Sequence, residues 1–513
     1  MKRHWRATAV LAGALWARPL NAQGGSFEEL TRFTDVVNHI RSNYVDSVTY
    51  RQLVHSAIDG MLRALDPHSW FLSSEDNDRF NALERGELAV IGVSLELADG
   101  VPTILAVSDR SPADRAGIRP GDRLRAIDGV STAGLNARAI SLRLAGDKGS
   151  KVRLLLERGP RLEPDSVSVI AKREMAKPEH YVRAAMMLDA TTGYVKLGEF
   201  GARSADEVKD AVRRLRGHKA SRLILDLRGN PGGIVTEAVA MASEFLPANS
   251  LVFSTKGRQK TVNEEYRTKG DGEFQDLAMV VLTDQGSASA AEALTGSLQD
   301  NDRAVIAGRR TFGKALMQTG FLVPDGFVEL TIGHVISPSG RYIQRPYTGL
   351  QLEQYYAFAG DSAWQDTTRI FKTVRGRPVK GGGGIAPDVA LPAPPTAPRW
   401  WTVAADSGWD RAVADSIGTT LGADVASRAA WARDSAAWSD RLLPPLLALV
   451  RARLSITAQV DAATRAAIAR KLASEAAIIR WGEDAGRELS IRNDPDVVAA
   501  LGLFARSAEI LHR

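Results

Sequence analysis

One serine and one lysine, twenty-five residues apart, stand in settings that could make them a nucleophile and its base. Ser289 lies in the string GSASAAEALTG at 286–296, and Lys314 lies in TFGKALMQ at 311–318. An ordinary lysine, with a reference pKa of about 10.4, is charged at pH 7. Lys314 can therefore accept the serine proton only if burial lowers its pKa, and the apolar residues around it favour such burial.

The string around Ser289 predicts a loop that enters a helix. Gly286 permits a sharp turn, and AEAL begins a run that favours a helix. The first N–H groups of such a helix, led by that of Ala290, have no intrahelical partner and can receive an oxyanion. A purely structural alternative stays open, in which Ser289 and Glu292 form a capping box that only satisfies the helix start.

Gln318 follows Lys314 by four residues, which places the two side chains on the same side of either a helix or a strand. Its amide could orient the lysine through a hydrogen bond, as the third member of a catalytic triad does. Read alone, a lysine that follows a glycine is most often a solvated surface residue.

Three further strings accompany this pair: DLRGNPGG at 226–233, LDPHSWFL at 65–72 and GGGGIAPDV at 381–389. With them, the chain resembles the C-terminal processing peptidases, or tail-specific proteases, over roughly residues 27–391. LDPHSWFL resembles a family signature in an N-terminal helical region, and GGGGIAPDV resembles the closing segment of the family.

The resemblance implies roles for individual residues. Ser289, Lys314 and Gln318 would be the catalytic set, and the turn at 226–233 would supply a second oxyanion donor beside Ala290, from Gly232 or Gly233. Ala315 stands where the family usually has glycine. Asp300 falls where family members often carry an acid, and we interpret it as structural support.

The first 22 residues are typical of a secretory signal peptide. Lys2, Arg3 and Arg6 form a basic start, and the apolar stretch at 9–17 is too short to span a bilayer. LNA before Gln23 resembles a cleavage site. We expect an exported protein, periplasmic or secreted, with an uncleaved anchor or a mitochondrial-type leader as the alternative.

Composition excludes several other classes of function. The sequence holds 66 basic and 60 acidic residues, and because the leader carries four basic and no acidic ones, the mature chain is close to +2. Nucleic acid is therefore an unexpected partner. The absence of cysteine from the sequence excludes disulfides and thiol catalysis. The eight histidines form no H-E-x-x-H motif, so we expect no metal and no cofactor, although a Ser-His-Asp set of distant residues stays open.

Two regions precede the catalytic strings. Residues 23–85 show helical periodicity, and in the family this region is a scaffold or a dimerisation element. Residues 86–172 carry short β-type runs separated by Pro and Gly turns, and resemble a PDZ domain. In PDZ domains a loop of exposed N–H groups captures the carboxylate of a peptide tail. That loop maps to Ile91, Gly92 and Val93, with a plain β-hairpin as the local alternative.

Residues 173–391 alternate strand and helix signals, which indicates an α/β domain. The resemblance implies a crotonase-like (ClpP/crotonase-type) superhelical peptidase core, interrupted by an insertion at roughly 346–380. A proline-rich linker at 392–398 leads to a helical extension at 399–513, to which no function is assigned. Five tryptophans are expected to anchor the core of this extension: Trp400, Trp401, Trp409, Trp431 and Trp438.

The resulting hypothesis is an exported serine endopeptidase whose PDZ domain captures protein or peptide substrates by their free C termini. A Ser-Lys dyad would then hydrolyse the peptide bond through an acyl-enzyme. A homo-oligomer or an adaptor protein would be a further partner. The alternative is a non-catalytic PDZ scaffold or adaptor that only binds tails.

Overall fold

The computed structural model describes residues 24–85, 87–98, 101–107, 111–119, 121–133, 135, 137–158, 165–175, 180–348, 355 and 366–511. The predicted signal peptide, residues 1–22, and much of the predicted insertion lie outside the described residues. The chain divides into two compact units, Met1–Leu65 and Asp66–Arg513.

The first unit contains two helices, α1 (Gly24–Asn43) and α2 (Tyr50–Arg63). Thr49 caps α2, because its hydroxyl accepts the Gln52 N–H at 3.2 Å while Gln52 Oε1 accepts the Thr49 N–H at 2.9 Å. This is a capping box. The two helices correspond to the helical periodicity of the sequence.

The second unit begins with a short strand where helix was expected. β1 (Trp70–Ser73) is followed by α3 (Ser74–Glu84). β1 pairs antiparallel with β16 (Gly326–Ile336), with Trp70 opposite Glu329. Trp70, Phe71 and Leu72 of LDPHSWFL thus lie in an edge strand, because aromatic and branched side chains favour a pleated, half-buried surface.

The PDZ region is mostly β-structure. Its elements are β2 (Val93–Ala98), β3 (Val101–Val107), α4 (Pro112–Arg115), β4 (Arg123–Ile127), β5 (Val130–Ser131), α5 (Ala137–Leu144), β6 (Lys151–Arg158) and β7 (Asp165–Lys172). The strand order is β2-β3-β4-β6-β7, with β5 paired to β4. β2 therefore lies at one edge of this sheet.

The centre of the second unit is a six-stranded, mostly parallel sheet. Its elements and the helices between them are β8 (Val182–Met187), β9 (Thr192–Leu197), α6 (Ser204–Gly217), β10 (Arg222–Asp226), α7 (Val235–Phe245), β13 (Ala278–Thr283), α8 (Ala290–Asp300), β14 (Val305–Gly308) and β19 (Val389–Ala390). The strand order is β19-β14-β13-β10-β9-β8, and only β8 runs antiparallel to its neighbour. In such a sheet, sites form where the parallel strands end.

A second, antiparallel sheet carries the segment that follows the lysine. It contains β1 and β16 together with β11 (Leu251–Gly257), β12 (Glu265–Arg267) and β15 (Leu316–Val323). β17 (Asp366–Lys372) and β18 (Pro378–Gly381) form a separate pair.

Helices complete the chain. They are α9 (Arg399–Asp406), α10 (Trp409–Gly418), α11 (Val425–Arg433), α12 (Trp438–Leu454), α13 (Ala462–Trp481), α14 (Glu483–Arg492), α15 (Pro495–Leu503) and α16 (Ser507–Ile510). The prediction that tryptophans anchor this region is confirmed for Trp400, Trp401, Trp431 and Trp438, which are buried in one core, while Trp409 packs partly buried against it. Across the described stretches, no helix has the length and apolar character needed to cross a bilayer.

Candidate active site

Ser289 precedes α8 in a backbone conformation that few non-glycine residues adopt. Its φ is +56° and its ψ is −114°, and strain in such sparsely populated regions is roughly 1–3 kcal/mol. Neighbouring hydrogen bonds hold the turn: the Ser287 N–H donates to the Asp284 carbonyl at 3.0 Å, and the Ala288 N–H donates to the Asn230 carbonyl at 2.9 Å. The turn thus places Ser289 between the end of β13 and the start of α8.

The Glu292 carboxylate joins the Ser289 turn to the loop that carries the lysine. One oxygen, Oε2, accepts the Ser289 N–H at 3.0 Å and the Lys314 N–H at 2.7 Å. The other oxygen, Oε1, accepts the Gly313 N–H at 2.7 Å and the Thr311 hydroxyl at 2.5 Å. The backbones of the predicted nucleophile and base therefore meet at a single shared acceptor atom.

The burial of Glu292 makes this carboxylate sensitive to protonation. Glu292 is 1 % exposed. Burial raises the pKa of its carboxyl group to about 7, although the hydrogen bonds from its four donors lower it. Because an ionised carboxylate has acceptor sites only, all four donors are matched only when Glu292 is charged. The glutamate half of the capping box is formed, but the same side chain also binds the lysine loop.

Lys314 is half-buried in the loop before β15. That loop is fixed at the next residue, where the Ala315 N–H donates to Gln344 Oε1 at 2.7 Å. Burial, together with the nearby charge of Lys314, lowers the pKa of His68 to about 3. The His68 ring, 3.0 Å from the Tyr355 hydroxyl, is therefore neutral at pH 7 and adds no positive charge beside the lysine.

Gln318 has a defined amide orientation. Its Nε2 donates to Thr331 Oγ1 at 3.2 Å, and the Thr331 hydroxyl donates in turn to Asp66 Oδ1 at 3.0 Å. Asp66 also accepts the Ser69 hydroxyl at 2.7 Å. Since the nitrogen of Gln318 is used by Thr331, its carbonyl oxygen is the end that can accept a hydrogen bond from an amine.

The two glycines predicted for the oxyanion hole lie against the Ser289 turn. A Cβ built on Gly232, whose φ is +97°, would stand 2.8 Å from the Ala290 nitrogen, so only glycine permits this close approach. The Gly232 N–H itself donates to Asn230 Oδ1 at 2.9 Å. Within the described part of the chain, the N–H groups of Gly233 and Ala290 donate to no acceptor, which leaves both available to an oxyanion.

Asp300 lies at the opposite end of α8 from Ser289. Its carboxylate forms a fully buried ion pair with Arg341 at 2.5 Å and accepts the Ser339 N–H at 3.0 Å and hydroxyl at 2.8 Å. These contacts are structural and do not reach the Ser289 turn.

The predicted tail-binding residues lie where the chain enters β2. Ile91 is 1 % exposed, and its side chain belongs to the PDZ core; Gly92 has a φ of +81°; Val93 begins β2. Among the residues that the structure covers, the N–H groups of Ile91 and Gly92 have no acceptor. Because β2 is an edge strand, a peptide could add beside it, with Ile91 contributing its backbone only.

Several residues that support this site were not singled out for it from the sequence. Glu292 was considered only as a helix cap, and Asp66, Thr331, His68 and Asn230 were given no role. The signals that could have found Glu292, Asp66, His68 and Asn230 were the S-x-x-E spacing and the LDPHSWFL and DLRGNPGG strings, whereas no string marked Thr331. In the described ranges, no three histidine, aspartate or glutamate side chains lie close enough together to hold a metal ion.

Comparison with known protein families gives three matches. A model described as "Peptidase family S41" matches residues 191–354, a "PDZ domain" model matches residues 103–158, and an "Activating protease CtpB N-terminal domain" model matches residues 13–76. The solved structure of a photosystem II D1 C-terminal processing protease is also similar, with a TM-score of 0.47 and 24 % identity over 73 % of this chain and 90 % of that chain.

Individual relatives carry corresponding names. The carboxyl-terminal-processing protease of Synechocystis sp. is 34 % identical over 316 residues, which cover 60 % of this chain and 72 % of the relative. The carboxy-terminal-processing protease of Bartonella bacilliformis is 28 % identical over 331 residues, 63 % of this chain and 74 % of the relative. The chain therefore belongs to the carboxyl-terminal-processing proteases of peptidase family S41, which confirms the predicted resemblance, serine-type peptidase class and PDZ domain.

Proposed function

We propose that this protein is an exported endopeptidase that binds the C-terminal tails of proteins in its PDZ domain and hydrolyses peptide bonds with a Ser289–Lys314 dyad. The observation that supports this most is the shared hydrogen bonding at Glu292 Oε2, which accepts the N–H groups of both residues. Two loops that are separate in sequence are thereby held as one catalytic unit. Such preorganisation is the main requirement of this chemistry, because the protein supplies positioning and electrostatics.

In the proposed reaction, neutral Lys314 accepts the Ser289 proton while Oγ attacks the peptide carbonyl carbon. The carbonyl oxygen becomes an oxyanion, stabilised by the N–H groups of Ala290 and Gly233, with Gly232 closely packed beside them. Collapse of this intermediate breaks the C–N bond, and the lysine returns its proton to the leaving amine. A water molecule activated by the same amine then hydrolyses the acyl-enzyme, with the Gln318 carbonyl orienting the lysine.

The same proposal includes the fold type of the peptidase core and the compartment in which the protein works. We assign the peptidase core to the crotonase-like superhelical type, and the leader at 1–22 to export into the periplasm or the medium. A chain without cysteine is indifferent to an oxidising compartment. Self-association through α1 is supported by apolar side chains that it exposes to solvent: Phe27, Leu30 and Val36.

The direct test is cleavage of a peptide that has an apolar, free C terminus. Ser289→Ala and Lys314→Ala should each abolish cleavage and keep tail binding, whereas the control Lys260→Ala, at an exposed lysine, should behave as wild type. Unchanged turnover in both active-site variants would refute the dyad. If the wild-type protein binds tails but cleaves no peptide, the alternative function, a non-catalytic PDZ scaffold or adaptor, would be favoured instead.

The role of the lysine as a base has its own test. Lys314→Arg should be inactive, because a guanidinium stays charged. The pH–rate curve of the wild type should rise through an apparent pKa well below 10. A flat profile between about pH 6 and 9 would argue against an amine base.

A further inference from the structure

The central sheet has two apolar faces, and the last helices of the chain cover one of them. Helices α6, α7 and α8 pack on the face that includes Leu225 and Val281. The opposite face includes Ile224 and Val280, and it packs against the end of the chain through Ile491, Val497, Ala500, Leu503, Phe504 and Leu511. The final helices are therefore an outer layer of the peptidase core.

Two aspartates at the start of α15 bind two arginines of this core. Arg228 Nη1 donates to the Asp494 carboxylate at 3.0 and 3.1 Å and to Asp496 Oδ2 at 2.8 Å. Arg309 uses both terminal nitrogens on Asp496, with 3.1 Å between Nη1 and Oδ1. Asp226, at the end of β10, accepts the remaining Arg228 donors at 2.7 and 3.0 Å.

This ion network is shielded from solvent. The side chains of Asp496, Arg228 and Arg309 are only 11 %, 13 % and 17 % exposed. Burial alone would raise the pKa of Asp496, but the two arginines hold it below its ordinary value. Removal of one partner from such a network weakens the compensation of a buried charge, so the loss of both aspartates should take from Arg309 its carboxylate partner Asp496 and leave Arg228 bound to Asp226.

Each of these arginines stands at the entrance to one loop of the candidate active site. Arg228 follows β10 and precedes residues 229–233, the oxyanion loop. Arg309 follows β14 and precedes residues 310–314, the lysine loop. The start of α15 thus binds the two arginines that directly precede these loops, and the loops must be placed correctly relative to each other.

We propose that Asp494 and Asp496 are positioning residues for the peptidase reaction, and that they hold the oxyanion loop and the lysine loop through Arg228 and Arg309. The C-terminal helices are then part of the working peptidase, although the matched family models end at residue 354. This inference rests on the proposed function, since the two loops are assigned their roles there.

The test compares the full-length double variant Asp494→Asn/Asp496→Asn with wild type by hydrogen exchange and peptide cleavage. We expect faster amide exchange in 226–233 and 309–314, and a kcat about tenfold lower with KM within about twofold, because small displacements of positioned groups cost rate. The control Asp484→Asn/Glu509→Gln removes two exposed carboxylates from neighbouring helices and should match wild type. Unchanged exchange in both loops together with unchanged kcat would overturn the proposal.

A single variant separates positioning from general destabilisation. Asp494 contacts Arg228 but not Arg309, so Asp494→Asn should speed exchange in 226–233 and leave 309–314 unchanged. Equal acceleration across the whole sheet would mean that the aspartates only stabilise the fold, and would also overturn the proposal. If wild type and Ser289→Ala both fail to cleave, the proposed function is wrong, while the exchange experiment still decides whether the aspartates hold the loops.

Discussion

The proposed catalytic loops differ from the proposed tail-binding loop of the PDZ domain in how they use their hydrogen-bond donors. Around Ser289, three loops bind one another: the Ser287 hydroxyl donates to the Leu227 carbonyl at 2.8 Å, and the Phe312 N–H donates to the Ser287 carbonyl at 2.9 Å. In the PDZ loop, the N–H groups of Ile91 and Gly92 have no acceptor among the described residues. Most donors around Ser289 bind the loops to one another and only the N–H groups of Gly233 and Ala290 stay open among the described residues, whereas the PDZ loop keeps its N–H groups open for a ligand.

This difference follows from what each region must do. Acyl transfer needs a nucleophile, a base and oxyanion donors held in register before the substrate arrives. Capture of a carboxylate needs N–H groups that are open until the tail fills them. Changes in the catalytic loops should therefore lower kcat, whereas changes in the PDZ loop should raise KM.

The largest effect is expected from Glu292→Gln, which keeps the shape of the side chain. The substitution replaces one acceptor oxygen by an NH2 group, which cannot accept the hydrogen bonds that the carboxylate oxygen accepts. Because donor then faces donor, the Ser289 turn and the lysine loop should separate. We expect kcat to fall about 100-fold or more, with unchanged affinity for a tail peptide. Steady-state kinetics and peptide titration measure the two quantities.

A matched control for this variant is Glu265→Gln, which neutralises a carboxylate that is 58 % exposed. It should leave both kcat and tail affinity unchanged. A kcat of Glu292→Gln within about twofold of wild type would show that the two loops keep their positions without the carboxylate.

A smaller effect is expected from pH. Burial raises the pKa of Glu292 to about 7, so the carboxylate gains a proton as the pH falls through that value. The O–H of protonated Glu292 then faces one of the four donors, and this change alone should make kcat about tenfold lower at pH 6 than at pH 8, in addition to the effect of the lysine base. Carbon-13 NMR of the glutamate carboxyls in the Ser289→Ala/Lys314→Ala variant, where no lysine base titrates, should show a midpoint near 7. A midpoint near 4.5, the ordinary glutamate value, would contradict this.

The sequence was sufficient for the parts of the site that are local in the chain. The strings around Ser289 and Gly232 predicted turns because glycine spacing and helix-start signals act over a few residues. The contacts of Glu292 with the lysine loop span 19 to 22 residues, and the contact between Thr331 and Asp66 spans 265. No periodicity within one segment reports such distant pairs.

The same limit applies to the C-terminal helices. Their apolar periodicity indicates that one face of each helix is buried. The prediction that tryptophans anchor the core of this region agrees with the structure. The periodicity does not indicate what covers that face. Burial of Val497 and Phe504 against the peptidase sheet depends on a complementary surface that is formed by four separate strands.

The next prediction concerns the support of Gln318. Thr331→Val keeps the volume of the side chain but removes the hydroxyl that links Gln318 to Asp66. One lost hydrogen bond of about 1 kcal/mol corresponds to about a fivefold lower kcat, with KM unchanged. Thr331→Ser retains the hydroxyl and should restore the wild-type kcat. Equal activity of the valine and serine variants would show that Gln318 does not depend on this link.

The smallest effect is expected in the PDZ loop, from Gly92→Ala. A φ of +81° is strained for alanine, so the loop should shift its open N–H groups and raise KM about threefold for substrates with a free C terminus. A C-terminally amidated peptide, which lacks the carboxylate, should show no difference between variant and wild type. Gly129→Ala is the matched control, since Gly129 has a similar φ of +84° in the same domain and lies at the β4–β5 turn. If Gly92→Ala lowers kcat as much as it raises KM, the tail-binding loop must influence the catalytic loops directly, and the division between an open and a fixed region is wrong.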